Sequence, residues 1–228
     1  MKKYNVLLLC IVFLMVISSI VVMNVINNHS VVLGENELGK VSLEGPYGNP
    51  NSENKIAIIV GVHPLEFKSH NSVLKYLKEY SSSLNNSYYV YVIEVTKDKD
   101  DFDKGRINGQ ILARDYVVPD IISKNYSLAI DFHAHRGVYA ENNFIIAPLN
   151  DEISKMIGME IIKNISGMKI LNFVAADDDH PTSPDYISIP ILKNGTPSLI
   201  YETYINESEN VTDRFVLEFL INLDNTAF

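Results

Sequence analysis

The architecture of the chain can be inferred first from Ile56-Ala57-Ile58-Ile59-Val60-Gly61-Val62-His63-Pro64-Leu65-Glu66. The first five of these residues form a short apolar run, rich in β-branched side chains, of the kind found in a strand that is buried on both faces. Strands of this kind belong to parallel sheets that helices cover on both sides. The run therefore predicts the first core strand of an α/β domain, which we expect to begin at Lys55.

Helical and strand-like patterns alternate after this strand. Apolar residues recur at helical spacing directly downstream, namely Val73, Leu74, Leu77 and Tyr80. Further patterns predict helices near residues 108–123, 151–165 and 211–223, and strands near residues 88–95, 128–133, 144–147, 169–174 and 198–204. This alternation predicts an α/β fold with a mostly parallel central sheet flanked by helices.

Length and composition exclude several classes of protein. A chain of 228 residues is long enough for one ordinary domain beyond an N-terminal apolar segment. The formal net charge is −9, which excludes an electrostatic footprint for nucleic acid. Cys10, the only cysteine, lies within the apolar segment, so the domain has no disulfide and no thiolate ligand. A metal in the domain must therefore be held by histidines and carboxylates.

The N-terminus has the pattern of a membrane anchor. Met1-Lys2-Lys3 is basic, and residues 5–26 are almost continuously apolar, which is enough to cross a hydrocarbon core of about 30 Å as a helix. The run is too long for a signal peptide and lacks an evident cleavage site, so an uncleaved anchor over residues 1–28 is favoured. The lysines then place the C-terminal part outside the cytoplasm, as a single-pass protein of the cell membrane.

A polar segment rich in Gly, Asn, Glu and Pro follows over residues 29–54. It includes Gly45-Pro46-Tyr47-Gly48-Asn49-Pro50 and predicts a flexible stalk with little regular structure. The expected order is therefore an anchor, a stalk and a folded domain over residues 55–228.

Candidate metal ligands stand at the carboxyl ends of two predicted strands, where sheets of this type bind ligands. His63 and Glu66 are three residues apart, which would place them on one side of a helical turn. His133 ends another strand, and His135 points to the same face and could equally serve. Two histidines and one glutamate leave one position open for water, so one catalytic Zn²⁺ is expected. Alternatively, the histidines bond to backbone and Glu66 stabilises a helix N-terminus.

Glu202 lies in the middle of a predicted strand, Ser198-Leu199-Ile200-Tyr201-Glu202-Thr203-Tyr204. An acidic residue at such a position is disfavoured unless a group such as a nearby cation holds it. Glu202 is therefore a candidate fourth member of the site. The alternative is an edge strand from which Glu202 faces solvent.

His63-x-x-Glu66, the strand end Asp131-Phe132-His133 and Glu202 on a late strand together resemble the zinc carboxypeptidase superfamily, within it the succinylglutamate desuccinylase and aspartoacylase-like branch. The order and strand context agree over about residues 55–225. The resemblance implies a zinc carboxypeptidase-like sheet of eight or so strands, one zinc ion, and hydrolysis of an amide bond next to a carboxylate. It also implies that Glu202 is the catalytic acid and base.

Two features depart from the family. The interval between Glu66 and His133 is short, which suggests trimmed loops and a more open site. The Asn-Arg pair that grips the substrate carboxylate in the family has no clean match, and Arg106 and Asn108 are the nearest candidates for substrate binding. Asp131 is expected to orient His133.

The preferred function is a membrane-anchored extracytoplasmic zinc hydrolase that cleaves a peptide or amide bond, for example in cell-envelope peptides. An anchored outer domain meets such peptides first. The alternatives are a non-catalytic extracellular binding module with the same fold, which an incomplete carboxylate grip would suit, and a deacylase of N-acyl amino acids.

Overall fold

The computed structural model describes residues 30–176 and 181–227 of the chain. These residues form one mixed sheet of eight strands in the order β1-β2-β4-β3-β5-β8-β6-β7. The strands are β1 (Ser30–Asn36), β2 (Gly39–Gly48), β3 (Lys55–Val60), β4 (Ser87–Val95), β5 (Leu128–His135), β6 (Asn143–Ile146), β7 (Met168–Leu171) and β8 (Ser198–Tyr204).

Seven α-helices accompany the sheet within the described residues. They are α1 (Phe67–Tyr80), α2 (Phe102–Leu112), α3 (Val118–Ile122), α4 (Glu152–Ile162), α5 (Ser183–Tyr186), α6 (Ser188–Lys193) and α7 (Glu209–Asp224). A π-helical turn, Ala113–Val117, joins α2 to α3, and a 3-10 turn, Pro148–Asn150, precedes α4.

The centre of the sheet is parallel, as predicted. Strand β3 pairs in parallel with β4 and β5, and β5 pairs in parallel with β8. The pairs β2 with β4 and β6 with β8 are antiparallel. All eight residues of β5 are buried, as expected for a strand covered on both faces. The predicted α/β fold with a mostly parallel centre is confirmed, and antiparallel strands extend it on both sides.

Helices cover both faces of the sheet because the residues of the core strands alternate between two apolar layers. Ile56, Ile58 and Val60 of β3 pack in the layer that contains α1, α4 and α7. Ala57 and Ile59 pack in the opposite layer with α2, α3 and α6. The middles of the strands are therefore taken up by apolar packing, and a functional site can form only at the polar ends of the strands.

The predicted stalk over residues 29–54 is wrong for the part that the structure describes. Strands β1 and β2 occupy most of it, and β2 pairs with β4 from Gly39 to Gly48. Val41 is fully buried in the layer below α2. The register shifts between Glu44 and Tyr47, around Pro46, so the Gly- and Pro-rich residues mark an irregularity within a strand rather than a linker.

Helix α2 begins earlier than the predicted helix over residues 108–123. The Asp101 side chain accepts hydrogen bonds from the backbone N–H groups of Asp103 and Lys104, which makes it the N-cap. Arg106 consequently lies within the helix instead of before it, and Asn108 lies in its interior instead of at its start.

The predicted anchor over residues 1–28 lies outside the described residues. Among the described helices, none combines the length and apolar character that a membrane crossing requires.

Gly109 allows α2 to approach the end of β3. A Cβ atom at this position would collide with the carbonyl oxygen of Val62. The close approach brings Arg106 and Gln110, on the same side of α2, to the residues that follow β3. The helix therefore supplies side chains to the end of the strand only because residue 109 has none.

We expect Gly109→Ala to destabilise the fold by about 1 to 3 kcal/mol, the usual cost of overpacking. Helix propensity alone would predict that the free energy of unfolding rises by about 1 kcal/mol. A decrease would therefore indicate the close contact between residue 109 and the carbonyl of Val62. Urea unfolding followed by circular dichroism measures it. Ile107→Ala, at a half-exposed position of the same helix, is the control. A gain in stability for Gly109→Ala would contradict the contact.

Candidate metal centre

His63 and Glu66 lie in a turn between β3 and α1. Gly61 ends the strand with a φ of 87°, a conformation that favours glycine. The backbone N–H of Glu66 then donates to the carbonyl of His63 over 3.1 Å, and Glu66 is the N-cap of α1. The two side chains converge through this turn rather than through the helical turn that their spacing suggested.

Three buried side chains meet at this point: His63, Glu66 and His133. Glu66 Oε1 lies 2.9 Å from His63 Nδ1, and Glu66 Oε2 lies 3.1 Å from His133 Nδ1. The two Nδ1 atoms are 3.0 Å apart. The structure therefore brings together the three ligands predicted from the sequence, although they are distant along the chain.

The donor set fits a divalent metal ion of the zinc type. Zinc bonds to histidine nitrogen are about 2.0 to 2.1 Å long, so tetrahedral ligand atoms lie about 3.3 Å apart. The observed separations of 2.9 to 3.1 Å need to open by only a few tenths of an ångström. Two imidazoles and one carboxylate also leave a fourth position open, which is typical of catalytic rather than structural zinc.

Protons balance the charges of the cluster in the absence of a metal. Burial lowers the pKa of His63 to about 4, which leaves its imidazole neutral. Burial also lowers the pKa of His133, but Asp131 and Glu66 outweigh it and hold that pKa well above its usual range. Burial would raise the pKa of Glu66, yet His63 and His133 hold it well below its usual range. His133 is therefore expected to carry a proton on Nδ1, the atom that would bind a metal ion. Metal binding would have to displace this proton.

Neighbouring groups orient each ligand. His133 Nε2 lies 2.8 Å from Asp131 Oδ2, so Asp131 has the orienting position predicted for it. His63 Nε2 lies 3.2 Å from the side-chain amide of Gln110. The amide nitrogen of Gln110 faces the ring and donates to Nε2, so Gln110 helps to fix the orientation of the His63 ring.

Glu66 receives two further hydrogen bonds. The backbone N–H of Ala134 donates to Oε2 over 2.9 Å, and Arg106 Nη1 donates to Oε1 over 2.5 Å. These donors favour the ionised carboxylate that a metal ligand must be. Arg106, predicted to bind substrate, therefore reaches the site but contacts a proposed ligand directly.

Glu202 stands beside the cluster on β8. It is the register partner of His133 in the parallel pair of β5 and β8, so the two side chains leave the same face of the sheet. Its Oε2 atom is buried and has no hydrogen-bond partner among the described residues. Burial raises the pKa of Glu202 to about 8, an effect that His133 opposes and Glu66 strengthens. A buried carboxyl group that exchanges a proton near neutral pH suits general acid and base catalysis.

Two other candidates from the sequence are placed elsewhere. Asn108 is buried and its side-chain amide donates to the carbonyl of Lys97 over 2.8 Å, and its role in substrate binding stays a prediction. The Asn108 side chain thus stabilises the loop before α2. His135 uses both ring nitrogens, which lie 3.0 Å from the N–H of Gly137 and 3.0 Å from the carbonyl of Asn142. It is therefore not a member of the donor set, and His133 is.

The contacts of Gln110 and Ala134 with the proposed metal ligands were not predicted from the sequence. Gln110 follows Arg106 by four residues on a helix, and this spacing was the available signal. The Ala134 contact involves backbone alone and leaves no signal in the sequence.

Comparisons with known proteins agree with the fold. No protein-family model and no curated protein matches the sequence. The solved metallo-carboxypeptidase from Burkholderia cenocepacia matches with a TM-score of 0.57 at 12% identity, over 87% of this chain and 65% of its own. The mDAP-bound form of Helicobacter pylori Csd4, a D,L-carboxypeptidase, matches with a TM-score of 0.56 at 12% identity, over 80% of this chain and 54% of its own.

A tripeptide-bound structure of the cell shape determinant Csd4 gives a TM-score of 0.57 at 11% identity, over 82% of this chain and 55% of its own. At these identities the likeness concerns the fold. The chain has the fold of metallo-carboxypeptidases and spans between half and two thirds of the length of these chains.

We expect the protein to bind one zinc ion. The variants His63→Ala and His133→Ala should each bind zinc with an affinity at least about 100-fold lower than that of wild type. His135→Gln should keep the affinity, because His135 lies outside the donor set. Calorimetric titration in two buffers of different ionisation enthalpy also measures the proton expected to leave His133. Loss of zinc in His135→Gln but not in His133→Ala would contradict the assignment.

In the chelator-treated protein, Glu202 should make the folded state less stable as pH rises. Its folded pKa of about 8 lies above the ordinary value of 4.5, so its contribution is full below pH 4.5 and is lost as pH approaches 8. Glu202→Gln removes this loss of stability with pH, because a glutamine side chain does not ionise. The free energy of unfolding of the variant relative to wild type should therefore rise by up to about 1.4 kcal/mol per pH unit across this window. A difference independent of pH in urea unfolding would contradict the raised pKa.

Proposed function

We propose that this chain is a zinc-dependent hydrolase that cleaves a peptide bond or a related amide bond. The observation that carries the proposal is the buried group His63, Glu66 and His133 beside Glu202, whose buried Oε2 atom has no hydrogen-bond partner in the part of the chain that the structure describes. The metallo-carboxypeptidase fold supports it, because the neighbours that share this fold are carboxypeptidases.

The proposed mechanism assigns proton transfer to Glu202. His63, Glu66 and His133 would hold the zinc ion, which when bound lowers the pKa of water toward about 7 and polarises a carbonyl group. Glu202 takes a proton from the attacking water as the new C–O bond forms. It then gives this proton to the leaving nitrogen as the C–N bond breaks, which yields a carboxylic acid and an amine. A pKa near neutrality suits both steps.

Arg106 has two roles in this proposal. It keeps Glu66 ionised through the hydrogen bond to Oε1. Its side chain is 32% exposed, and a guanidinium group carries five N–H donors, so others remain for the oxyanion that develops on the substrate carbonyl. It lines a narrow cleft with His63, Pro64, Leu65, Glu66, Asp101 and Phe102.

We propose peptides as the substrate class, including cell-envelope peptides. Csd4, which shares the fold, is described in complex with a tripeptide and with mDAP. The basic start of the chain and the apolar residues 5–26 support a single-pass anchor in the cell membrane with the hydrolase outside the cytoplasm, where such peptides occur.

Deacylation of N-acyl amino acids is the second candidate. The order of His63, Glu66, His133 and Glu202 along the chain resembles the succinylglutamate desuccinylase and aspartoacylase-like branch. Both candidates use the same ligands and the same acid and base, so they differ only in substrate.

Glu202→Gln should lower kcat by at least about 100-fold while zinc binding is retained, because the amide cannot accept the proton of water. Hydrolysis of short peptides and of N-acyl amino acids by the zinc-loaded protein measures the change and separates the two substrate classes. Glu94→Gln, at an exposed site on β4 paired with Lys40, is the matched control. Full activity in Glu202→Gln would contradict the assignment of the base.

A further inference from the structure

Helix α4 exposes several large apolar side chains to solvent. Ile153, Met156 and Met159 are 61%, 69% and 52% exposed. No other helix among the described residues exposes more than two large apolar side chains. Single exposed apolar residues are normal on a protein surface, whereas a group of them on one helix is typical of an interaction surface. The outer face of α4 is therefore a candidate contact surface.

Contacts with the sheet fix the rotation of α4 about its axis. Ser154 and Gly158 are four residues apart and face the sheet. The Ser154 hydroxyl oxygen accepts a hydrogen bond from the backbone N–H of Ser198 on β8 over 3.0 Å. A Cβ atom at Gly158 would lie 2.6 Å from Ile145 Cδ1 on β6, so the helix backbone lies close to the sheet at this point. The opposite face of the helix therefore points away from the sheet.

Four residues lie in one line along this outer face: Glu152, Met156, Met159 and Lys163, which we call the α4 stripe. All four are exposed. Their spacings of four, three and four residues are those of the a and d positions of a coiled coil, through which two helices pack. An acid stands at one end of the stripe and a base at the other, with two methionines between them. Lys163 also contacts Glu160 within the chain.

The α4 stripe is complementary to a second copy of itself in the antiparallel direction. With a two-fold axis between residues 157 and 158, Met156 of one copy faces Met159 of the other. The same axis places Glu152 opposite Lys163 at both ends. A parallel pair would instead place each charge opposite an identical charge. The end charges therefore favour the antiparallel pair, and the flexible methionine side chains can adapt to the contact at its centre.

A lipid surface fits this face less well. Helices that bind to a membrane surface carry Lys and Arg in excess on their polar side. Helix α4 and its C-cap residue carry two acids, Glu152 and Glu160, and two bases, Lys155 and Lys163, so their charges sum to zero. This balance gives no net attraction to anionic lipids. A second copy of the chain is therefore the occupant that the charges favour.

We propose that the protein forms a two-fold symmetric dimer in which the α4 stripes of two copies pack antiparallel. One helix pair buries less area than a standard interface, so the dimer should be reversible, with a Kd on the order of 10 µM. The dimer does not depend on the chemistry proposed for the metal centre. No residue of the α4 stripe lines the cleft beside that centre, so a change in the stripe should leave zinc binding intact.

Sedimentation equilibrium of the full-length chain in detergent micelles measures the dimer. Wild type should convert from monomer to dimer over about 1 to 100 µM. Met156→Glu should raise the Kd at least about 100-fold, because a carboxylate would be buried at the centre of the contact. Ile221→Glu, at a half-exposed position of α7, is the matched control and should dimerise as wild type does. Circular dichroism and zinc affinity, equal in all three proteins, show that the variants are folded.

Charge exchange tests the antiparallel direction. Glu152→Lys and Lys163→Glu each place like charges at both ends of the contact, so each should raise the Kd about 10-fold. When the two variants are mixed, the heterodimer has a pair of opposite charges at each end, and its Kd should return to that of wild type. A parallel contact already contains like charges in wild type, so the single changes would not weaken it.

Three results overturn the proposal. The first is a wild type that stays a monomer at about 100 µM, with or without binding to vesicles of phosphatidylcholine and phosphatidylglycerol. The second is a dimer that Met156→Glu leaves unchanged, and the third is a pair of charge variants that does not recover when mixed. Each of these results leaves the proposed hydrolase intact, because zinc binding and activity are measured separately.

Discussion

The buried carboxylate of Glu66 is the group on which the site depends. An ionised carboxylate that is 3% exposed is costly unless hydrogen bonds and opposite charges surround it. Four partners do so here: His63, His133, Arg106 and the N–H of Ala134. They come from three segments of the fold, so the carboxylate holds together the end of β3, helix α2 and strand β5. The ligand atoms of His63, Glu66 and His133 already converge, so a cation would need little rearrangement to bind there.

The fold supplies these partners through the parallel centre of the sheet. Strands β3, β5 and β8 run in the same direction, so their polar carboxyl ends meet while their apolar middles form the core. Backbone geometry then sets the details. Gly61 turns the chain from β3 toward Glu66, and Gly109 lets α2 contact the carbonyl of Val62. The chemistry at the site thus follows from strand direction and from two positions without a side chain.

The sequence predicted the parallel centre, and it predicted that His63, Glu66 and His133 would meet, because buried strands are recognisable and their ends are defined. It misassigned residues 29–54, since the apolar positions of β2 are interrupted by Gly and Pro within a strand that bends. It also placed the start of α2 too late, because the cap at Asp101 lies in a charged segment without an apolar pattern. The contacts of Gln110 and Ala134 depend on three-dimensional neighbours from distant segments, which no local pattern records.

Anomalous diffraction at the zinc edge, from crystals of the zinc-loaded protein, tests the metal site most directly. One strong peak is expected at about 2.0 to 2.1 Å from the Nδ1 atoms of His63 and His133, with a Glu66 oxygen as the third protein ligand. The two Nδ1 atoms should then be a few tenths of an ångström farther apart than their present 3.0 Å. A fully occupied zinc ion bound elsewhere, with His63, Glu66 and His133 still hydrogen-bonded to one another, would contradict the central claim.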